Sequence, residues 1–94
     1  MSYLIEVPPP VQKEIRELPG HVRAQARQLI GALANDPRPS RSKELRNRSN
    51  LYRIWLAGRW RIAYEVDDEQ RRVRILRVRL KESIDYDSLA SDES

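Results

Sequence analysis

Apolar positions along the chain follow two periods, and the change from one to the other divides it. Tyr3-Leu4-Ile5-Glu6-Val7 reads as a short strand, stopped by Pro8, Pro9 and Pro10, which cannot donate to a sheet ladder and favour a helix start. Val11, Ile15 and Leu18 then recur at helical spacing, with Lys13, Glu14, Arg16 and Glu17 elsewhere on the wheel, which predicts one short amphipathic helix. Pro19-Gly20 breaks it. A second helix follows, with Val22, Ala26, Leu29, Ile30 and Leu33 as its apolar stripe, and Asn35-Asp36-Pro37 ends it. The two are expected to form an αα-hairpin.

Residues 37–50 read as a cationic loop, with a helical turn expected around Lys43-Glu44-Leu45. Strand signals return in Leu51 to Leu56 and Trp60 to Val66, which flank a short Gly-containing hairpin connection, Ala57-Gly58-Arg59. In the second of these strands Trp60, Ile62, Tyr64 and Val66 share one face, while Arg61, Ala63 and Glu65 share the other. Asp67 to Gln70 makes a polar turn into a third strand, Arg72 to Leu80. Its alternation slips at Ile75-Leu76, which predicts a bulge or a strand buried on both faces. A helical turn is expected around Ile84 to Leu89, with the tail after about residue 88 frayed.

This order predicts an α+β fold over residues 1–94 as a single domain. Two N-terminal helices would pack on one face of a small, mostly antiparallel sheet of about four strands. The helix-free face is then left to carry Arg61, expected to be exposed, and its neighbours. Trp60 and Tyr64, on the other face, are expected in the core.

Composition narrows the chemistry. The 94 residues hold no Cys and no Phe, so thiolate chemistry and disulfides are excluded and the core must rest on Leu, Ile, Val and Ala. The single histidine, His21, sits at a helix start and reads as a surface or capping residue, leaving no His cluster for a metal. No phosphate-cradling glycine loop occurs, and no cofactor is expected. No stretch is long and apolar enough for a membrane span, and a soluble cytoplasmic protein is expected.

Charge is uneven. Residues 41–81 carry 13 basic and 5 acidic groups, whereas residues 82–94 carry 5 acids and no base. Fifteen of the 18 basic side chains are Arg, whose planar fork suits phosphates and carboxylates. The middle of the chain therefore reads as directed at a polyanion.

Over residues 3–87, the runs VQKEIRELP, VRAQARQLIGALANDPRP, KELRN, LYRIWLAGRWRIAYEVDDE and VRILRVRLKESIDY resemble the RelE/ParE superfamily of toxins from bacterial type II toxin–antitoxin modules. The most specific part is Arg61-Ile62-Ala63-Tyr64-Glu65-Val66-Asp67-Asp68, after a strand bearing Tyr52 and a Gly hairpin. The resemblance implies a small antiparallel sheet backed by two helices. It implies either ribosome-dependent mRNA cleavage, as in RelE-like members, or inhibition of DNA gyrase, as in ParE-like members. A degenerate toxin acting by protein binding alone is a further alternative.

For the RelE-type reaction the resemblance assigns catalytic roles to Arg61, Lys81, Tyr86 and Arg53. Lys81 and Tyr86 are the candidates for general base, and Arg61 and Lys81 for stabilising charge on the phosphate. Arg41, Lys43, Arg46 and Arg48 in the loop, with Trp55, Arg77 and Arg79 on the strands, are the candidates for RNA or ribosome contact. Trp55 stands where RelE has a lysine, Lys81 where it has an arginine, and the histidine–arginine pair that many relatives carry after the last strand is missing. The expected partners are the ribosome with mRNA and a cognate antitoxin presenting an acidic amphipathic segment, in a hetero-oligomer.

Overall fold

Three prolines in a row end the first strand and open the first helix. The computed structural model describes residues 2–46 and 49–80, and in it β1 (Leu4–Glu6) passes through Pro8 into α1 (Pro9–Arg16). Proline is tolerated there because the first helical N–H groups have no partner within the helix. Pro19 then starts α2 (Gly20–Ala32), on whose surface His21 is exposed. Four strands follow: β2 (Lys43–Glu44), β3 (Leu51–Leu56), β4 (Trp60–Asp67) and β5 (Arg72–Leu80).

The fold is α+β with a five-stranded mixed sheet in the order β1-β5-β4-β3-β2. Only the β1 to β5 pair is parallel, and the rest is antiparallel. The strand beyond the expected four is β2. Lys43 and Glu44, read as part of a helical turn, instead pair with Arg53 and Tyr52 at the sheet edge. Edge pairing with an existing strand is a tertiary gain that local propensity does not register.

The expected slip in β5 is present. Ala63 opposes Arg77 while Tyr64 opposes Ile75, so Leu76 is the extra residue of a bulge. The bulge keeps Val73, Ile75 and Val78 on the core face, each no more than 1% exposed. In the β3–β4 hairpin both Ala57 (φ 52°) and Gly58 (φ 79°) adopt left-handed backbone, which glycine accepts freely and alanine at a cost of about 1 kcal/mol.

Both helices lie on one face of the sheet. Val11, Ile15, Leu18, Val22, Ala26, Ile30 and Leu33 from the helices meet Ile54, Leu56, Ile62, Tyr64, Val66, Val73, Ile75 and Val78 from the strands in one buried cluster. With no phenylalanine available, Tyr64 is the largest side chain fully buried there. Its hydroxyl escapes the cost of burial by donating to the Pro37 carbonyl at 2.8 Å. Trp60, expected in the core, packs against this cluster but is only partly buried.

Candidate functional site

Strand register decides which cations stand together. On the face opposite α1 and α2, Lys43 of β2, Arg53 of β3, Ala63 of β4 and Arg77 of β5 form one transverse row. Trp55, Arg61 and Arg79 form the next. Opposed residues in antiparallel strands point to the same side, so alternation in three strands brings candidates 24 residues apart in sequence onto one surface.

Within this surface the candidates differ. Lys43 is exposed and Arg53 and Arg77 are half-buried around Ala63, which is itself fully buried. Arg77 donates to the Leu76 carbonyl at 2.7 Å. Among the described residues no ion pair or side-chain hydrogen bond engages Lys43, Arg53 or Arg46. Within that set their charges have no neutralising partner, and Lys43 and Arg46 stand at exposed positions, as phosphate contacts require.

Arg61 departs from expectation. It is 7% exposed rather than open, and its guanidinium carbon lies 4.2 Å from the centre of the Trp55 ring. The cross-strand neighbour of Arg61 is Trp55, not Arg53, so the indole covers it. Trp55 itself remains 40% exposed. Arg79 is also drawn aside, because Glu14 of α1 accepts from its guanidinium and from the Val78 backbone N–H. Arg41 reaches from the loop to the Trp55 carbonyl on β3 at 3.4 Å, and Arg46 is exposed. Arg48, Lys81, Tyr86 and the expected turn at Ile84 to Leu89 lie outside the described residues.

A second cluster was not anticipated by sequence reasoning. Arg38 donates to both oxygens of Asp68, at 2.8 and 3.1 Å, and through Nε to the Tyr52 hydroxyl at 2.7 Å. Tyr3 donates to the same Asp68 at 2.6 Å. The hydrogen bonds from Arg38 and Tyr3 hold the Asp68 carboxyl below its ordinary range. Asp68 closes the family-like run that begins at Arg61, yet its partner is 30 residues away in a proline-containing loop. No local pattern could have joined them.

These features meet in comparisons with known proteins. Residues 5–84 match the family model for the ParE toxin of the type II toxin–antitoxin system parDE. The chain belongs to the RelE/ParE toxin superfamily. No curated protein matches the sequence.

Among solved structures, the chain is similar to a double arginine-to-alanine mutant of the E. coli toxin RelE in the free state. Identity is 28%, the TM-score is 0.82, and 99% of this chain and 98% of that one are covered. It is also similar to a chain of the intact E. coli RelBE toxin–antitoxin complex, with 29% identity, a TM-score of 0.74 and coverage of 84% and 96%. A chain of the Mycobacterium tuberculosis RelBE2 toxin–antitoxin complex matches with 26% identity and a TM-score of 0.71, over 86% of this chain and all of that one. The protein is thus a toxin of a type II toxin–antitoxin system. Among the described residues no helix is long and apolar enough to cross a membrane.

Proposed function

We propose that this toxin is a RelE-like endoribonuclease that cuts mRNA on the ribosome in the cytoplasm, and that a cognate antitoxin with an acidic amphipathic segment silences it. The observation that carries this reading is the row of Lys43, Arg53 and Arg77 on the face opposite α1 and α2, in a chain similar to RelE over nearly its whole length. Cations in register across a sheet suit a polyphosphate strand, and the toxins of similar fold in the RelBE structures are held with an antitoxin.

In the proposed reaction a ribose 2′-oxygen attacks the adjacent phosphorus. The 2′-oxygen–phosphorus bond forms, the phosphorus–5′-oxygen bond breaks, and the 2′ proton passes to a base while the leaving oxygen gains one. Lys81 and Tyr86 are the proposed proton carriers. Arg53 meets the equatorial oxygens, and Arg61 acts from beneath Trp55, where low local dielectric strengthens its field. Arg41, Lys43, Arg46, Arg48, Trp55, Arg77 and Arg79 are assigned to RNA or ribosome contact.

A second reading, gyrase inhibition or another non-catalytic action, is favoured by one observation. Arg61 is covered by an indole rather than presented to a substrate. A translation reaction reconstituted from purified components separates the two. The nuclease reading expects cleavage within the open reading frame only when ribosomes translate it, abolished by Arg53→Ala. Intact mRNA together with inhibited DNA supercoiling in a gyrase assay would establish the alternative.

A further inference from the structure

The loop that carries Arg41, Lys43 and Arg46 is held to the sheet at its far end, where Lys43 and Glu44 pair with β3, the Leu45 N–H donates to the Leu51 carbonyl and Arg41 donates to the Trp55 carbonyl. Its near end, between α2 and β2, has less. Among residues 35–42 only Pro37, Pro39 and Ser42 are even half-buried, and the positive charges that follow repel one another. Ordering such a stretch ahead of binding has an entropic cost.

Arg38 fastens this near end. All three guanidinium nitrogens are used, two on Asp68 in the β4–β5 turn and one on the Tyr52 hydroxyl of β3. Tyr52 in turn stacks on the fully buried Tyr64, with ring centres 5.7 Å apart. The Tyr64 hydroxyl takes the carbonyl of Pro37, the residue just before Arg38. Tyr3 adds a bond to Asp68 from the start of the chain. The rigidity of the core is thereby passed to the loop through side chains that stand apart from the row of Lys43, Arg53 and Arg77.

We propose that Arg38, clamped by Asp68 and Tyr52, is a positioning residue that presets Arg41, Lys43 and Arg46 for phosphate contact. The proposal rests on the reading of that loop as RNA-binding. Arg38 is not itself a contact, because its charge is already matched by Asp68. Its work is to remove in advance the ordering cost that RNA would otherwise bear.

Asp68→Asn gives a test whose sign discriminates. The substitution deletes a negative charge and frees a positive one, so long-range attraction alone would tighten binding to RNA. Positioning predicts the opposite. Binding of the full chain to a single-stranded RNA oligonucleotide should weaken by about tenfold, the salt slope being kept because the three cations remain. In the free protein, amide exchange at residues 40–46 should speed up while β4 stays protected. Arg38→Lys keeps the charge but loses the fork, so it should act in the same direction should Asp68→Asn fail to fold. The reversed pair, Arg38→Asp with Asp68→Arg, should restore both readouts.

Equal or tighter RNA binding by both single variants, or unchanged loop exchange, overturns the clamp. Should the unaltered chain bind no RNA at low salt, the phosphate role of the loop is overturned, and the exchange measurement alone then shows whether Arg38 orders it.

Discussion

At the scale of single residues, Arg61 and Trp55 show how a cross-strand neighbour redefines a side chain. Alternation places Arg61 on the face opposite α1 and α2, where an arginine would ordinarily be solvated and dispensable to stability. The register instead sets it opposite a tryptophan, and the guanidinium lies 4.2 Å from the ring centre with 7% of the residue exposed. A cation over an aromatic ring attracts by about 1 kcal/mol when exposed and about 2 kcal/mol when desolvated, and this pair, with Arg61 buried and Trp55 40% exposed, falls between. Arg61→Ala should therefore cost about 1–2 kcal/mol, a fall of several degrees in melting temperature. A double-mutant cycle with Trp55→Ala should return a favourable coupling. A melting temperature within a degree of the unaltered protein would show that the stack carries no stability.

At the scale of elements, the weak point of the sheet is one edge of β5. Strand β1 covers Arg72 to Arg74, and among the described residues no strand pairs with the rest of β5 on that side. Glu14 on α1 closes part of the gap, because one carboxylate oxygen accepts the Val78 N–H at 2.9 Å and the other meets Arg79. Its side chain is only 15% exposed, so these bonds are formed largely out of water. Glu14→Ala should cost about 1–3 kcal/mol, as expected for loss of a charge-assisted hydrogen bond, and should open an edge for pairing between copies. Urea unfolding reads the first effect and sedimentation velocity the second. Glu14→Gln, which can still accept from Val78, should recover more of the stability than of the Arg79 contact. Unchanged unfolding in Glu14→Ala would show that the edge needs no cover.

At the scale of the whole molecule, Tyr64 joins core, loop and hairpin, and its titration should register in global stability. Burial pushes its hydroxyl up to about 12. In the unfolded chain a tyrosine ionises near its ordinary value of about 10. The neutral form is thus the one the fold favours, so its stabilisation is complete below pH 10 and is lost as pH rises from there through 12. Two pKa units correspond to about 2–3 kcal/mol over that window. Tyr64→Phe, which cannot ionise at this position, should lack that part of the alkaline loss while sacrificing the bond to Pro37 at neutral pH. Parallel alkaline curves for the two proteins would show that Tyr64 ionises freely.

Periodicity, with proline and glycine as stops, was enough to determine both helices, the three long strands, the irregularity at Ile75-Leu76 and the division of β4 into a core face and an arginine face; pairing with β4 decided that the irregularity is a bulge. These depend on interactions between near neighbours, whose spacing is written in the order of residues. The runs shared with RelE/ParE toxins were legible for the same reason. Three further things were decided only by tertiary structure. Lys43 and Glu44 became a strand because β3 offered an unpaired edge, and an edge is a property of the assembled sheet. Arg61 became buried because register, set along the whole hairpin, put Trp55 opposite it. Arg38 met Asp68 and Tyr52 because chain segments 30 and 14 residues away converge beside the loop. Each of these pairings is made through space by groups distant in sequence, and a period of two or of 3.6 residues carries no information about such distances.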